Sequence, residues 1–588
     1  MVKRTDISIN KTTSRIFDIF SAHPYICAFT ACLFVHFFTF AQEELIPANT
    51  MLTGSAVLIA AVIAVSWKSH KKGRIPLISA VLFSAAFAVA LLALDRGLVS
   101  GRKGVWIILV CLAAMTAVSL YLKKNTNSRE ITERLISLMI LGTGFLTKLM
   151  YIFYTDMYTR QNDVGAFTGT PDDAGHFGYI EYLMYTRHLP DFDVRTRWQF
   201  YHPPLHHTIS AIWVYINENI FGLDFEQSRE SLQILSLFCS MAIIISAYKI
   251  MRHFKLSGVA LYTPLAVISL HPAFTFFSGA LNNDALSTAL TAGACLAAVK
   301  WYRSQEMKDI LKLALCIGLG MMAKLSAALI AFPVAFLFLN VLISNFKKKW
   351  KKLAVQYVCF GAVCAPLALW YQIRNYFCFG VPIAYVQELG KDCEQYVGNI
   401  SFMNRITDFS ASHFRGIFQH WAYLDENGVL AGSNETNPLI AILKNSVFSE
   451  GINETSFTIG ANISAIMTFF FIVNLIIAAA AIVLMTASCF RKTSANTVMK
   501  AFFVFFHVIM IANFYQMSAE YPFVCTMNFR YITLTVVTGA LFCGLFLQSL
   551  QKSSEKAKKA AAAVSITLSA LFSACAIWEI TALCFPKL

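Results

Sequence analysis

Residues 132–154, TERLISLMILGTGFLTKLMYIFY, are predominantly apolar and long enough to cross a bilayer, and a charged, aromatic-rich loop follows them at once. A run of about 20 apolar residues satisfies the roughly 30 Å hydrocarbon thickness as an α-helix. Working outward from it, similar runs fall near 25–41, 51–66, 76–94 and 104–122 on one side. On the other they fall near 228–248, 259–279, 284–302, 309–322, 325–345, 353–373, 461–487, 499–517, 530–550 and 559–584. The pattern predicts an all-α, polytopic integral membrane protein with about fifteen transmembrane helices. The runs 309–322 and 325–345 read either as two crossings or as one broken pair.

Composition agrees. Of the 588 residues, 57% are hydrophobic and 14% charged, against about a quarter charged in soluble domains; mean hydropathy is +0.58. The net charge of +15 does not call for a nucleic-acid partner, because the basic residues cluster in short loops between apolar runs. They include Lys68–Arg74, Lys123 with Arg134, Lys249–Lys255, Lys300–Lys308, Lys347–Lys352, Arg491–Lys492 and Lys552–Lys559. Placing these on the cytoplasmic side makes the alternate loops external, provided that Pro203–Phe221 lies along the membrane surface as an interfacial helix. Two long segments then face outward, 155–221 and 374–460. The second carries N-x-S/T triplets at Asn399, Asn434 and Asn453. The cysteines sit mostly in apolar runs; Cys378, Cys393 and Cys525 fall outside them and would allow one disulfide. The first apolar run reads as a retained span rather than a removed signal peptide.

The first external loop holds the chemistry. Within YTDMYTRQNDVGAFTGTPDDAGHFGYIEYLMYTRHLPDFDVRTRWQFYHPPLHH (154–207), Asp156, Asp191 and Asp193 read as solvated connector residues. The segment is nonetheless too long and too aromatic for a passive linker. Residues 174–187 space Phe177, Ile180, Leu183 and Met184 as an amphipathic helix. Asp163 or Asp173 could act as a general base toward a hydroxyl. The same carboxylates with His176 or His202 could instead ligate a divalent metal, although no tight ligand spacing is present. Asp284 is either a helix N-cap or a functional carboxylate at a span's end. Lys324, Arg374 and Arg530 are external positive charges, which a lipid-linked phosphate or simple snorkelling would explain.

These stretches (acidic residues in a first external loop, then GHFGYIEYLMYTRHLP, YHPPLHH, SGALNNDALSTAL, MMAKLSA and NFRYITL) resemble the GT-C superfamily of membrane glycosyltransferases. The protein O-mannosyltransferase and lipid A aminoarabinose transferase branches (glycosyltransferase family 39-like) are nearest in pattern, over residues 132–550. The chain has Asp172-Asp173 where mannosyltransferase-like members have Asp-Glu. The resemblance implies transfer of a sugar, hexosyl or pentosyl, from a polyprenyl-phosphate donor to a hydroxyl on a lipid, glycan or protein acceptor. Transfer would invert the anomeric centre on the non-cytoplasmic face and need no organic cofactor. It also implies roles: Asp163 first, with Asp173 and Asp172 beside it, as base, and His176, Tyr201, His202, Asp284, Lys324, Arg374, Arg530 and Tyr531 as substrate-binding residues. Residues 1–131 would be an added four-helix membrane unit before a core at 132–373, with 461–588 supplying the last spans. The membrane would be a bacterial plasma membrane, or the endoplasmic reticulum in a eukaryote. A polytopic transporter or lipid flippase, and a lipid-linked oligosaccharide polymerase or ligase, are the alternative readings.

Overall fold

The computed structural model describes residues 23–39 and 129–584, apart from 415, 419–422, 425–429, 432–433 and 458–462. The expected runs 51–66, 76–94 and 104–122, and with them most of the N-terminal unit, lie outside the described residues. Every other expected run is helical over most of its described residues. Among the described residues six helices are long and apolar enough to cross a membrane, or up to eight if each of two bent pairs is one span. The expected count of about fifteen is therefore not reached by these residues. Helix Met307–Ala323 is only 17 residues long, and helix Asp284–Ser304 carries Asp284, Lys300 and Arg303 within its span.

Two features have clear sequence causes. Val259–Leu270 and Pro272–Gly279 meet at a 43° bend, because Pro272 has no N–H to continue the first helix and starts a second instead. The segment Ala331–Phe379 is helical throughout its 49 residues, yet it doubles back. The Tyr357 hydroxyl donates to the Phe338 carbonyl at 2.7 Å, and the two rings stack with centroids 4.6 Å apart. Nineteen residues of straight helix would separate them by roughly 28 Å. The reversal falls at the lysine cluster 347–352, so the two runs read from the sequence are two arms of one hairpin. Met307–Ala323 and Leu325–Ile330 are broken at Lys324, whose backbone is extended.

The bundle's two ends differ in charge. Lys349 and Lys352 reach Gln305 and Glu306, and Asn496 reaches Tyr302. Ser494 meets Gln548, which donates to the carbonyls of Phe254 and Lys255, and Arg252 pairs with Glu133. The basic loops thus share one end. Asp163, Asp284, Lys324 and Arg530 meet at the other, as the alternation of loop charge requires.

The loop that follows helix Arg129–Phe153 is folded. Helix Gly175–Thr186 is buried on most of its surface, rather than on one face only as the amphipathic spacing suggests. Its buried polar members have partners. Glu181 accepts from Arg229 at 2.8 Å and from the backbone of Thr168 and Gly169. Arg229, fully buried, also pairs with Glu218 and lies 3.5 Å over the Phe225 ring. This knot ties loop, helix Gly175–Thr186 and helix Leu205–Asn219 to the start of the next span. Leu205–Asn219, the expected interfacial helix, is 15 residues long and leaves Ile209, Ile212 and Tyr215 exposed, an apolar face suited to a membrane surface. Asp156 and Asp193 serve their own turns, accepting from Thr159 and Arg195 respectively. In the amino-terminal segment, Pro24–Thr39 packs on Gln233–His253, with the Tyr25 and Ser246 hydroxyls 2.9 Å apart.

Candidate active site

Four charged side chains from four separate elements alternate in sign. Asp163 comes from the loop before helix Gly175–Thr186, Asp284 from the first turn of a helix, Lys324 from the break between two helices, and Arg530 from the turn Phe529–Ile532. Arg530 Nη2 is 2.7 Å from Asp163 Oδ2, and its Nε is 3.7 Å from Asp284 Oδ2. Lys324 Nζ is 2.5 Å from Asp284 Oδ1. Two negative and two positive charges leave the row neutral.

The backbone explains each placement. Gln161 fastens the loop by donating to the Gly279 carbonyl and accepting from the Leu281 amide. The amides of His176 and Phe177 donate to the carbonyls of Asp163 and Val164, so the loop lies across the start of helix Gly175–Thr186. Asp163 itself has φ +61°, a conformation that costs a non-glycine residue energy and tends to be kept at functional positions. Asn283, not Asp284, occupies the N-cap position, without a capping bond; Asp284 is helical and buried, and its own amide is held by Asn282. The N-cap reading of Asp284 is thereby replaced by the ion pair. At Lys324 the extended backbone interrupts the helices. Asn528 accepts from the Arg530 amide at 2.8 Å and fixes that turn.

Several polar atoms here are buried and have no hydrogen-bond partner: Arg530 Nε and Nη1, Asp284 Oδ2 and Asn283 Oδ1. Buried groups of this kind are costly unless something satisfies them, and the unused guanidinium nitrogens are donors of the kind that phosphate oxygens accept from. Tyr531 lines the same place, its hydroxyl accepting from Arg530 at 2.7 Å and its ring 5.1 Å from Lys324 Nζ. The Tyr201 hydroxyl is pushed well above the usual tyrosine range by burial and then by the charge of Asp163.

Beside the charged row stand His176, His202, His206 and His207. His176 Nδ1 and His207 Nε2 are 2.8 Å apart, and the His176 ring stacks on His202 at 5.4 Å and on His207 at 5.1 Å. Burial, followed by neighbouring imidazoles and the cations Lys324 and Arg530, holds His176 well below the usual range; His202 is lowered by burial and then Lys324. His206 falls to about 4, by burial. The His176 ring thus lies between His202 and His207, and His206 meets His176 and His207 edge-on, with centroids 6.5 and 5.2 Å away. Among the described residues no three His, Cys, Asp or Glu side chains are arranged to hold a metal ion.

The remaining sequence candidates lie apart. Asp172 is 82% exposed and 3.6 Å from Arg197. Asp173 accepts from the Ala174 amide and packs against Gly178. Arg374 donates to Asn375 and to the Pro190 carbonyl, near the Tyr179–Tyr371 hydroxyl pair, and has no ion pair with the row among the described residues. Cys378, Cys393 and Cys525 are free thiols. Sequence reasoning missed Asn162 and Glu450, whose side chains meet at 2.9 Å next to Asp163, and the Glu181–Arg229 pair. No spacing signals either, since the partners are 288 and 48 residues apart.

Comparison with known proteins finds likenesses to part of the chain. Residues 202–370 match the family described as dolichyl-phosphate-mannose-protein mannosyltransferase. No curated protein matches the chain. Among solved structures, it is similar to the archaeal oligosaccharyltransferase AglB from Archaeoglobus fulgidus in complex with an inhibitory peptide and a dolichol-phosphate (14% identity, TM-score 0.40, 76% of this chain and 56% of that one). A second structure of the Archaeoglobus fulgidus oligosaccharyltransferase, with Zn and sulfate, gives 11%, 0.43, 75% and 53%. ArnT from Cupriavidus metallidurans bound to undecaprenyl phosphate gives 11%, 0.41, 76% and 76%. The chain thus spans little more than half the length of the two oligosaccharyltransferase chains. The matched segment begins at His202 and contains Asp284 and Lys324, two members of the charged row; it covers 169 of the 588 residues.

Proposed function

We propose that this protein transfers a sugar from a polyprenyl-phosphate donor to an acceptor hydroxyl on the non-cytoplasmic side of its membrane, with inversion. The observation that carries this reading is the buried row Asp163–Arg530–Asp284–Lys324 with its unused guanidinium donors. Arg530 and Lys324 would take the donor phosphate, and Asp284 would hold both cations in place. Arg530 engaged by phosphate would loosen its grip on Asp163, freeing that carboxylate to accept the hydroxyl proton as the oxygen attacks the anomeric carbon. The glycosidic C–O bond breaks and the polyprenyl phosphate leaves, its growing charge met by Arg530 and Lys324. Tyr201 and Tyr531 would flank the sugar, with His176 and His202 behind them as neutral packing. Asp163 is the base on this reading because, of the three candidate aspartates Asp163, Asp172 and Asp173, it is the one that touches a cation of the row. Asp172 and Asp173 would shape the loop, and Arg374 its outer wall.

The acceptor is a lipid, glycan or protein hydroxyl, and the sugar a hexose or pentose; the membrane is a bacterial plasma membrane or, in a eukaryote, that of the endoplasmic reticulum. Residues 1–131 would form an accessory membrane unit before the transferase core. The test is release of polyprenyl phosphate from labelled polyprenyl-phosphate sugars by the purified protein, compared with Asp163→Asn. Turnover dependent on Asp163 supports the reading. No release with any donor, together with solute uptake by vesicles carrying the protein, would replace it with transport.

A further inference from the structure

The second external loop also delivers a carboxyl to the site. Helix Pro438–Phe448 is started by Asn437, whose side chain accepts from Leu439 and Ile440. Buried Glu435 braces it through Lys444 at 2.8 Å and His413 at 2.6 Å. Its Asn445 side chain accepts from the Phe529 amide at 3.1 Å, one residue before Arg530. The helix ends at Ser449, which takes φ +58°, and this turn directs Glu450 inward. Glu450 is buried. Its Oε2 accepts from Asn162 Nδ2 at 2.9 Å, while Oε1 is enclosed without a hydrogen-bond partner. The two carboxylates at this place, Asp163 and Glu450, are thus each set by a strained non-glycine residue, Asp163 itself and Ser449.

We infer that Glu450 is a positioning residue for Asp163, acting through Asn162 and serving in its protonated form, so that the charge of Arg530 stays available to Asp163 and to a phosphate. This rests on the reading of Asp163 as base. The charge balance favours it. The row is neutral without Glu450; a phosphodiester adds one negative charge and its departure as a monoester adds another. An ionised Glu450 would compete for Arg530 with both. Burial pushes the Glu450 carboxyl up to about 7, against the lowering influence of Arg530. The charged and titratable groups around it are Asp163 and Arg160 from the first loop, and Arg530 and Cys525 from the segment before the last bent span.

The experiment compares Glu450→Gln, Glu450→Ala and wild type in kcat and KM across pH 5.5–8.5, with infrared difference spectra of the same samples. Wild-type kcat/KM is expected to fall as pH rises through about 7, where Glu450 ionises. Glu450→Gln, neutral at every pH and still able to accept from Asn162, is expected to lose that fall. Glu450→Ala is expected to lower kcat about 100-fold, the scale of a misplaced reacting group, with KM little changed. A Glu450→Gln profile of wild-type shape, scaled down equally at every pH, would overturn the inference. The infrared arm is independent of turnover: wild type minus Glu450→Gln should show a protonated-carboxyl band that disappears as pH rises through about 7. Absence of that band overturns the inference even if the enzyme is active. An inactive wild type that shows the band would refute the transferase reading and leave the protonated Glu450 in place.

Discussion

Replacing Arg530 by lysine keeps the charge and removes the fork. Arg530 now reaches Asp163 at 2.7 Å and the Tyr531 hydroxyl at 2.7 Å, both through Nη2. It also approaches Asp284 through Nε at 3.7 Å, and Nη1 is unused. A lysine has one nitrogen on a flexible stem and cannot serve Asp163, Asp284 and a phosphate together. If the contact retained is the one to Asp163, the loss is the donor that meets the departing phosphate. One donor preorganised toward developing charge is worth roughly 2.7–4 kcal/mol, or 100- to 1,000-fold in rate. Arg530→Lys should therefore lower kcat/KM for polyprenyl-phosphate release by that factor, mostly in kcat, without unfolding the protein, because the ion pair with Asp163 can persist. The assay is initial-rate release of labelled lipid phosphate, with thermal unfolding in detergent as the control. A kcat/KM within about threefold of wild type, given, would refute the assignment of Arg530 to the leaving group.

Other expectations follow from the same geometry. Asp163→Asn should abolish turnover, whereas Asp172→Asn and Asp173→Asn should stay within about tenfold of wild type, the scale of an interaction worth 1.4 kcal/mol; equal losses in all three would mean that the base is misassigned. Arg229→Met leaves Glu181 buried with one cation fewer. It should cost about 3 kcal/mol, the lower range for breaking a buried pair, read as a fall in the unfolding midpoint; Arg229→Met with Glu181→Gln should recover part of it. The histidine cluster predicts acid lability. His206 is lowered from 6.5 to about 4 by burial, so between those values the unfolded chain takes up a proton that the folded chain refuses. Stability contributed by the neutral ring is complete above about 6.5 and drains as pH falls toward about 4, at up to about 1.4 kcal/mol per pH unit for each such ring. His206→Gln should flatten the midpoint over that window, and an unchanged slope would argue against a buried neutral ring. Finally, Phe338→Cys with Tyr357→Cys, in a background without native cysteines, should cross-link within one chain through a short bifunctional thiol reagent; a straight helix would hold the pair too far apart.

How much of this could be read beforehand depended on the range of the interaction. Apolar length is local, so the run expected at 461–487 appears as Ile463–Cys489 and that at 559–584 as Glu555–Cys584. Lys324 stood out because a lysine between two apolar runs needs a reason, and the helix does break there. Asp163, Asp284 and Arg530 were legible as charges in the wrong solvent. Their mutual order was not, since nothing in the chain states that a loop residue meets one 367 positions later. Glu450 was invisible for the same reason: in SVFSEGINET it looks like any loop glutamate, and its partner Asn162 lies 288 positions earlier. The helical spacing of 174–187 placed a helix correctly. It did not show that Glu181 and His176, nominally the wet face, are covered by Arg229 and by the neighbouring imidazoles.

The separation between Asp163 and Arg530 also sets an order of events during synthesis. Asp284 and Lys324 lie 40 positions apart and can pair soon after their helices enter the membrane. Asp163 must wait for Arg530. At about 5–20 residues per second, 367 further positions take roughly 20 to 70 s of translation. A chain interrupted anywhere in that interval would hold the first loop and its carboxylate but no complete charged row. Partial products would thus be catalytically silent, and the site would become competent only when the last part of the bundle is inserted.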